Sequence, residues 1–237
     1  MGVFDFLKPK SPMEKASKDL QEPYAQPDVR QAAMDKLFEM KSAEAYRVLL
    51  KRFTYNANGQ IADESEKRSL VDRLAEVGEP ALPAIQAFIK TEKAITFPIQ
   101  ALQRILDEDG SRSFLIETLR EKEPQDHRTT QAKVTLLAVL SESARSEDAE
   151  AVVPYLDDHA DDVQVQAIDV LEALASERAA KGALVAVCCS DVHGPRVRRR
   201  AASALANLGW NVKADFEGFD PELKSEWKID KSGRLQR

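Results

Sequence analysis

The two stretches that decide the fold are residues 163–174, VQVQAIDVLEAL, and residues 197–208, VRRRAASALANL. Both carry apolar residues at their first, fifth, ninth and twelfth positions, and they begin 34 residues apart. Steps of four, four and three place these side chains along one stripe of a helix with 3.6 residues per turn. Each stretch therefore predicts an amphipathic helix with one buried face.

The same pattern recurs along most of the chain. Residues 29–40, VRQAAMDKLFEM, form a third good copy. Three weaker copies keep the last two anchors, which are Leu74 and Val77, Leu102 and Ile105, and Leu137 and Leu140. Glu66, Pro98 and Lys133 interrupt these weaker copies, and we expect Pro98 to delay or kink its helix. The spacing between copies is that of a helical hairpin repeat.

A second helix is predicted after each of the first five copies. These second helices cover residues 43–53, 79–90, 111–122, 147–157 and 177–189. The turns between partners are short, so each pair is expected to be an antiparallel hairpin. The sequence predicts an all-α fold, a right-handed α-solenoid of about six hairpins with its second helices lining a concave surface.

The best copies carry a recognisable local sequence. Residues 28–33, DVRQAA, and residues 195–205, PRVRRRAASAL, resemble the core of bacterial HEAT repeats, including the phycobilisome-lyase-like group. The complete layout is similar to a group of proteobacterial HEAT-repeat proteins. The resemblance covers roughly residues 27–212 and implies an armadillo-like repeat fold. It implies no active site, because the motif residues pack the stack, and members that act as bilin lyases do not use them for catalysis.

Segments at both ends do not follow the repeat, so the predicted domains are an arm (1–25), a repeat domain (26–212) and a tail (213–237). The arm contains Pro9, Pro12 and Pro23, which predict flexibility and little helix before Pro27. Its first residues include Phe4 and Phe6, which are expected to dock on protein, with weak membrane contact as an alternative. The tail alternates apolar and polar residues around a Ser-Gly turn, which predicts a β-hairpin that covers the last repeat.

Acidic residues are concentrated between positions 142 and 172. The candidates for a partner-binding edge are Glu147, Glu150, Asp157, Asp158, Asp161 and Asp162. The spacing and central glycine of a calcium loop are missing, so helix capping or attraction of a basic partner is favoured over metal binding.

A basic cluster lies in the last copy of the repeat. Its members are Arg196, Arg198, Arg199 and Arg200. We expect one or two of them to form ion pairs with the preceding repeat, and the others to remain candidates for contact with a protein or peptide. Nucleic acid is a weaker alternative, because the formal net charge of −6 does not suit a protein that coats phosphates.

Other features limit the classes of function and location. Cys188 and Cys189 are adjacent in an apolar run, which predicts core residues and a reducing compartment. The chain has neither a long apolar run nor the h-region of a signal peptide, so a cytoplasmic location is expected. The protein is also expected to be a monomer. His127, His159 and His193 fall in separate turns, and no nucleotide-binding or metal motif is present. No catalytic residue, cofactor or metal is therefore predicted.

The sequence favours a non-catalytic scaffold or adaptor that binds a protein or peptide on a concave surface. An enzyme accessory of the lyase-like group is one alternative, and a nucleic-acid-binding protein is another. The interrupted middle copies are where specificity is expected to lie.

Overall fold

The computed structural model describes residues 11–237, which form thirteen α-helices and one short β-hairpin. The chain divides into two compact units, residues 1–107 and residues 108–237. The boundary between them falls inside the range predicted as one repeat domain. The fold is all-α apart from the hairpin at the end of the tail.

The first unit contains six helices among its described residues. They are α1 (Pro12–Leu20), α2 (Pro27–Glu39), α3 (Ala43–Leu50), α4 (Gln60–Val77), α5 (Leu82–Thr91) and α6 (Thr96–Ile105). Helix α2 packs against α3, and α5 packs against α6. Helix α4 also packs against α6, and α3 packs against α5.

The second unit contains seven helices, two of which, α9 and α13, are very short. They are α7 (Glu108–Arg120), α8 (Thr130–Ser143), α9 (Ala149–Val152), α10 (Asp161–Leu174), α11 (Glu177–Cys189), α12 (Pro195–Leu208) and α13 (Pro221–Glu226). Helices α8, α10 and α12 pack in series, and α11 packs against α12. The predicted helix over 147–157 forms only one α-helical turn between two 3-10 turns, since Pro154 lacks an N–H group and disfavours regular helix.

The prediction of a flexible arm with little helix is wrong for residues 12–20, which form α1. Ser11 caps this helix by accepting a hydrogen bond from the Glu14 N–H, and the Glu14 carboxylate accepts one from the Ser11 N–H. Pro12 stands in the first turn, where a helix needs no N–H from it. Ala16 and Leu20 are buried, and α1 packs against α2. The remaining arm residues, 1–10, lie outside the described residues.

Pro98 has the effect expected from the sequence. Helix α6 begins at Thr96, so the proline occupies its first turn and interrupts no hydrogen bond within the helix. Its ring is buried. This copy of the repeat therefore has a late helix start.

The tail forms the predicted hairpin and packs on α12. Strands β1 (Lys228–Ile229) and β2 (Leu235–Gln236) pair antiparallel, and β2 contacts α12. Phe219, Leu223 and Trp227 are buried. Gly233 has a φ of 85°, and a β-carbon there would lie 2.4 Å from the Asn211 side chain, so the close approach requires glycine.

Candidate interaction surfaces

Ion pairs join side chains that lie one repeat apart. In the first unit these pairs are Arg30–Glu66, Asp35–Arg73 and Asp72–Arg104. In the second unit they are Asp109–Arg145, Arg112–Asp148, Asp162–Arg196 and Asp169–Arg200. Their sequence separations range from 31 to 38 residues, which is close to the spacing of the apolar anchors. The charged residues thus follow the same repeat as the core.

Hydrogen bonds at the ends of the second helices show the same spacing. The Tyr55 hydroxyl donates to the Leu20 carbonyl, 35 residues earlier. The Tyr155 hydroxyl donates to the Leu119 carbonyl, 36 residues earlier. Both carbonyls lie at the end of a helix, where carbonyls lack partners within the helix, and the Leu119 carbonyl also accepts the Lys122 N–H at 2.9 Å. Burial raises the pKa of both tyrosines, so the hydroxyls stay protonated and keep donating.

A buried ionic network fills the space between α2, α4 and the turn after α3. Arg30 donates two hydrogen bonds of 3.0 Å to the Glu66 carboxylate, and Arg52 donates to the same group. Arg52 also contacts Asp63, whose other oxygen lies 2.8 Å from the Lys67 ammonium group. Three cations and two carboxylates are therefore held together, and the two arginines are almost completely buried.

Hydrogen bonding keeps this network ionised. Burial alone would raise the pKa of Asp63, but hydrogen bonds from Lys67, the Ala57 N–H and Arg52 outweigh it, and the pKa lies below its usual value. Burial would likewise lower the pKa of Arg52, yet its bonds to Glu66 and Asp63 raise it. Glu66, which interrupts an apolar anchor in the sequence, is thus a structural ion-pair partner.

A second buried pair lies in the second unit. The Lys133 ammonium group contacts the Asp158 carboxylate, and both side chains have no exposed surface. Lys133 also donates to the Pro124 carbonyl at 2.7 Å. Asp158 accepts a hydrogen bond from the Ala160 N–H at 2.9 Å. The prediction that Asp158 belongs to an exposed partner-binding edge is wrong, because its charge is used inside the fold.

Three of the other predicted acidic residues, Glu147, Glu150 and Asp157, lie at the two ends of one segment. Glu147 and Glu150 are exposed near the start of residues 146–157, and Asp157 is exposed at the end. Ten residues of helical chain separate Glu147 from Asp157, which corresponds to at least about 15 Å. Asp161 and Asp162 begin the next helix, and the helix dipole stabilises carboxylates at this end. Asp162 also pairs with Arg196 at 2.6 Å. The structure therefore does not bring the acidic set into one cluster.

Each arginine of the basic cluster has an acidic partner. Arg196 pairs with Asp162 and Arg200 with Asp169 and Glu172, which confirms the expected ion pairs to the preceding repeat. Arg199 pairs with Glu222 and Glu226 of the tail. Arg198 is buried and donates to the His193 carbonyl at 2.7 Å, while Asp220 lies 3.5 Å away. Arg198 is thus too buried to be a contact residue, and the cluster ties α12 to α10 and to the tail.

The exposed side of α4 presents a surface that the sequence did not single out. We call it the α4 face, and its residues are Gln60, Ile61, Glu64, Ser65, Arg68, Ser69 and Asp72. These residues line a shallow hollow of about 630 Å³. The Ile61 side chain is 89% exposed, which is unusual for a large aliphatic residue.

Two further hollows adjoin the α4 face. One lies toward α2, shares Ser65 and Ser69, and includes Asp28 and Gln31. The other lies over the buried network, shares Gln60 and Glu64, and reaches Phe97 of α6. Together they extend the accessible surface along both sides of α4. The sequence pattern marks this helix only by its anchors Leu74 and Val77, and the signal that it begins as early as Gln60 is Gly59, followed by Asp63 in the first turn.

The two cysteines, the possible metal ligands and the lengths of the helices bear on thiol chemistry, metal binding and membrane insertion. Cys188 is buried as predicted, whereas Cys189 is exposed, so its assignment to the core is wrong. Burial raises the pKa of both thiols, which disfavours the reactive thiolate. Within residues 11–237, no group of three or more His, Cys, Asp or Glu side chains is placed to hold a metal ion. Over the same residues, every helix is too short or too polar to cross a lipid bilayer.

Comparison of the chain with protein-family models, with curated proteins and with solved structures gave no match. The resemblance to HEAT-repeat proteins therefore remains a prediction based on the residues quoted above. Phe4 and Phe6, the other predicted contact residues, lie outside the described residues.

Proposed function

We propose that this protein is a right-handed HEAT-type α-solenoid that serves as a non-catalytic scaffold for a protein or peptide partner. The observation that carries the proposal is the series of ion pairs between residues 31 to 38 positions apart. In a stack of hairpins each repeat contacts its neighbours, so contacts at one repeat length are the expected signature. Such stacks leave a long outer surface free, and binding is their usual use.

The α4 face is the surface that best supports partner binding in the first unit. Its charges are largely paired, since Glu64 meets Arg68 and Asp72 meets Arg104. At its N-terminal end stands the exposed Ile61, and serine and glutamine side chains also line the hollow. This composition suits a partner segment that buries Ile61 under an apolar side chain and hydrogen-bonds to Ser65 and Ser69.

The partner is expected to be close to neutral where it meets this face. Paired surface charges offer little net attraction, and a strongly charged segment would have to separate them. Basic partners are favoured instead at Glu147 and Glu150, which are exposed in the second unit. The α4 face therefore suits a near-neutral partner and the Glu147 and Glu150 surface a basic one, so mutation of each surface distinguishes them.

Substitution of Ile61 by serine should remove the partner recovered by affinity purification of the tagged full chain from its native host. Full burial of an isoleucine contributes about 1.5–3 kcal/mol, so binding should weaken roughly 10- to 150-fold. The recovered protein should be identified by mass spectrometry and its Kd measured with both purified proteins.

The matched control is Val192→Ser, because Val192 is 88% exposed but lies in the second unit. Partner recovery should be unchanged in this variant. Equal loss in both variants, or loss only in a Glu147→Gln/Glu150→Gln variant, would refute the α4 face as the contact. A chain that enriches no protein under any condition would contradict the scaffold function itself.

A further inference from the structure

A hollow of about 420 Å³ opens over the buried ionic network of the first unit. We call it the network hollow, and its lining includes Asn56, Asp63, Glu64, Lys67 and Phe97. Asp63 and Lys67 belong to the network, and each is only 5% exposed. The hollow therefore gives a ligand access to buried charge.

The network carries one more cation than it has carboxylates. Its cations are Arg30, Arg52 and Lys67, and its carboxylates are Asp63 and Glu66. Within residues 11–237, no third carboxylate lies within ion-pair distance of any of these cations. The network therefore has an excess of one positive charge in a buried position, where an unbalanced charge is costly.

The excess charge is accessible at Lys67. Its ammonium group lies 2.8 Å from the Asp63 carboxylate and donates to the Asn56 side-chain oxygen at 2.7 Å. An ammonium group has three N–H donors, so one of them has no acceptor among the described residues. Arg30 and Arg52 also donate to backbone carbonyls, and neither of them lines the hollow. Lys67 is therefore the cation of the network that a ligand in the hollow reaches.

The other walls of the hollow define the chemistry of the ligand. Glu64 already pairs with Arg68, so it does not balance Lys67. Phe97 forms an aromatic wall, and its ring centre lies 5.9 Å from the Lys67 ammonium group. A carboxylate on a short aliphatic stem suits both groups, because its oxygens accept from Lys67 while the stem packs on the ring. A phosphate monoester suits the site less well, because its charge of about −1.5 to −2 exceeds the excess of the network.

We propose that the network hollow binds one carboxylate group, presented by an Asp or Glu side chain of the partner. The carboxylate pairs with Lys67, so that three cations of the network meet three carboxylates. The hollow shares Gln60 and Glu64 with the α4 face, so one partner segment contacts both surfaces. The source of the carboxylate rests on the proposed scaffold function, whereas the site itself does not.

Sodium acetate is the probe for the site, and it is titrated into the full chain at constant ionic strength by exchange with sodium chloride. Amide NMR signals of residues 56–67 should shift along one saturating curve, while those of residues 196–208 should not move. Sodium chloride alone should not reproduce the curve. Signals that do not shift with acetate, or that respond equally to chloride, would overturn the proposal.

Asn56→Asp supplies the missing carboxylate from the chain itself, because the Asn56 side-chain oxygen already lies 2.7 Å from the Lys67 ammonium group. This variant should bind acetate at least about tenfold more weakly than the wild-type chain. Lys67→Met, which removes the excess cation, should have the same effect. The matched control is Asn58→Asp, which adds the same charge in the same loop but outside the lining of the hollow. Acetate affinity that Asn56→Asp leaves unchanged would place the acetate elsewhere and overturn the proposal.

The partner recovered by affinity purification tests the source of the carboxylate. Asn56→Asp should raise the Kd of the purified partner at least about tenfold, whereas Asn58→Asp should leave it unchanged. Loss of acetate binding without loss of partner binding would assign the hollow to free small carboxylates and overturn the partner as their source. A chain that enriches no partner but still binds acetate at Lys67 would contradict the scaffold function and support the site.

Discussion

Replacement of Lys133 by methionine should lower the free energy of unfolding by about 3–5 kcal/mol, because it leaves the Asp158 carboxylate buried without its cation. Domains are commonly stable by only about 5–15 kcal/mol, so this loss is a large part of the total. Urea unfolding followed by circular dichroism measures the effect, with the slope of the transition checked for a change in compactness.

The matched comparison is the double variant Lys133→Met/Asp158→Asn. Asparagine keeps an oxygen that can accept the Ala160 N–H but removes the buried charge. The double variant should therefore regain stability relative to Lys133→Met alone, and the double-mutant cycle should show favourable coupling between the two positions. A Lys133→Met protein within about 1 kcal/mol of wild type would contradict the buried pair.

Replacement of Glu66 by glutamine should also cost about 3–5 kcal/mol of unfolding free energy. The substitution leaves three cations around Asp63 alone, and Arg30 loses its carboxylate partner. By contrast, Arg52→Met leaves two cations and two carboxylates, so it should cost less than Glu66→Gln despite the complete burial of Arg52. Thermal unfolding of the three proteins under the same buffer conditions tests the order.

Glu64 supplies the control for this prediction. It lies on the same helix, but its side chain is about half exposed and pairs with an exposed Arg68 at 3.4 Å. Such surface pairs contribute about 0.2–1 kcal/mol, so Glu64→Gln should change stability little. Similar losses for Glu64→Gln and Glu66→Gln would mean that the network does not carry the stability assigned to it.

Apolar periodicity was sufficient to predict most helices but not the role of the charged residues that interrupt it. The anchors at Leu171 and Leu205 lie in α10 and α12, and both are fully buried. Glu66 and Lys133 looked like lost anchors, because a pattern of single positions does not show that Arg30 or Asp158 will lie opposite. Charge complementarity at one repeat length was the signal that could have identified Arg30 with Glu66.

The arm and the candidate contact residues were harder to predict for local reasons. Pro12 resembles a helix breaker in the sequence, but the first turn of a helix accepts proline, and Ser11 with Glu14 forms a capping box there. The arginine cluster was correctly expected to pair with the preceding repeat, but its pairing with Glu222 and Glu226 required knowledge of the tail fold. The exposure of Ile61 depends on where α4 begins. The apolar pattern of this copy starts only at Glu66, so it does not show that the helix includes Ile61.

The most direct measurement of the scaffold function is a hydrogen-exchange footprint of the full chain bound to the partner recovered in the purification. The account predicts slowed exchange over residues 60–72, with residues 190–198 unchanged as the internal reference. Protection confined to other residues, or the same exchange with and without the partner, would contradict the claim that the exposed side of α4 binds it.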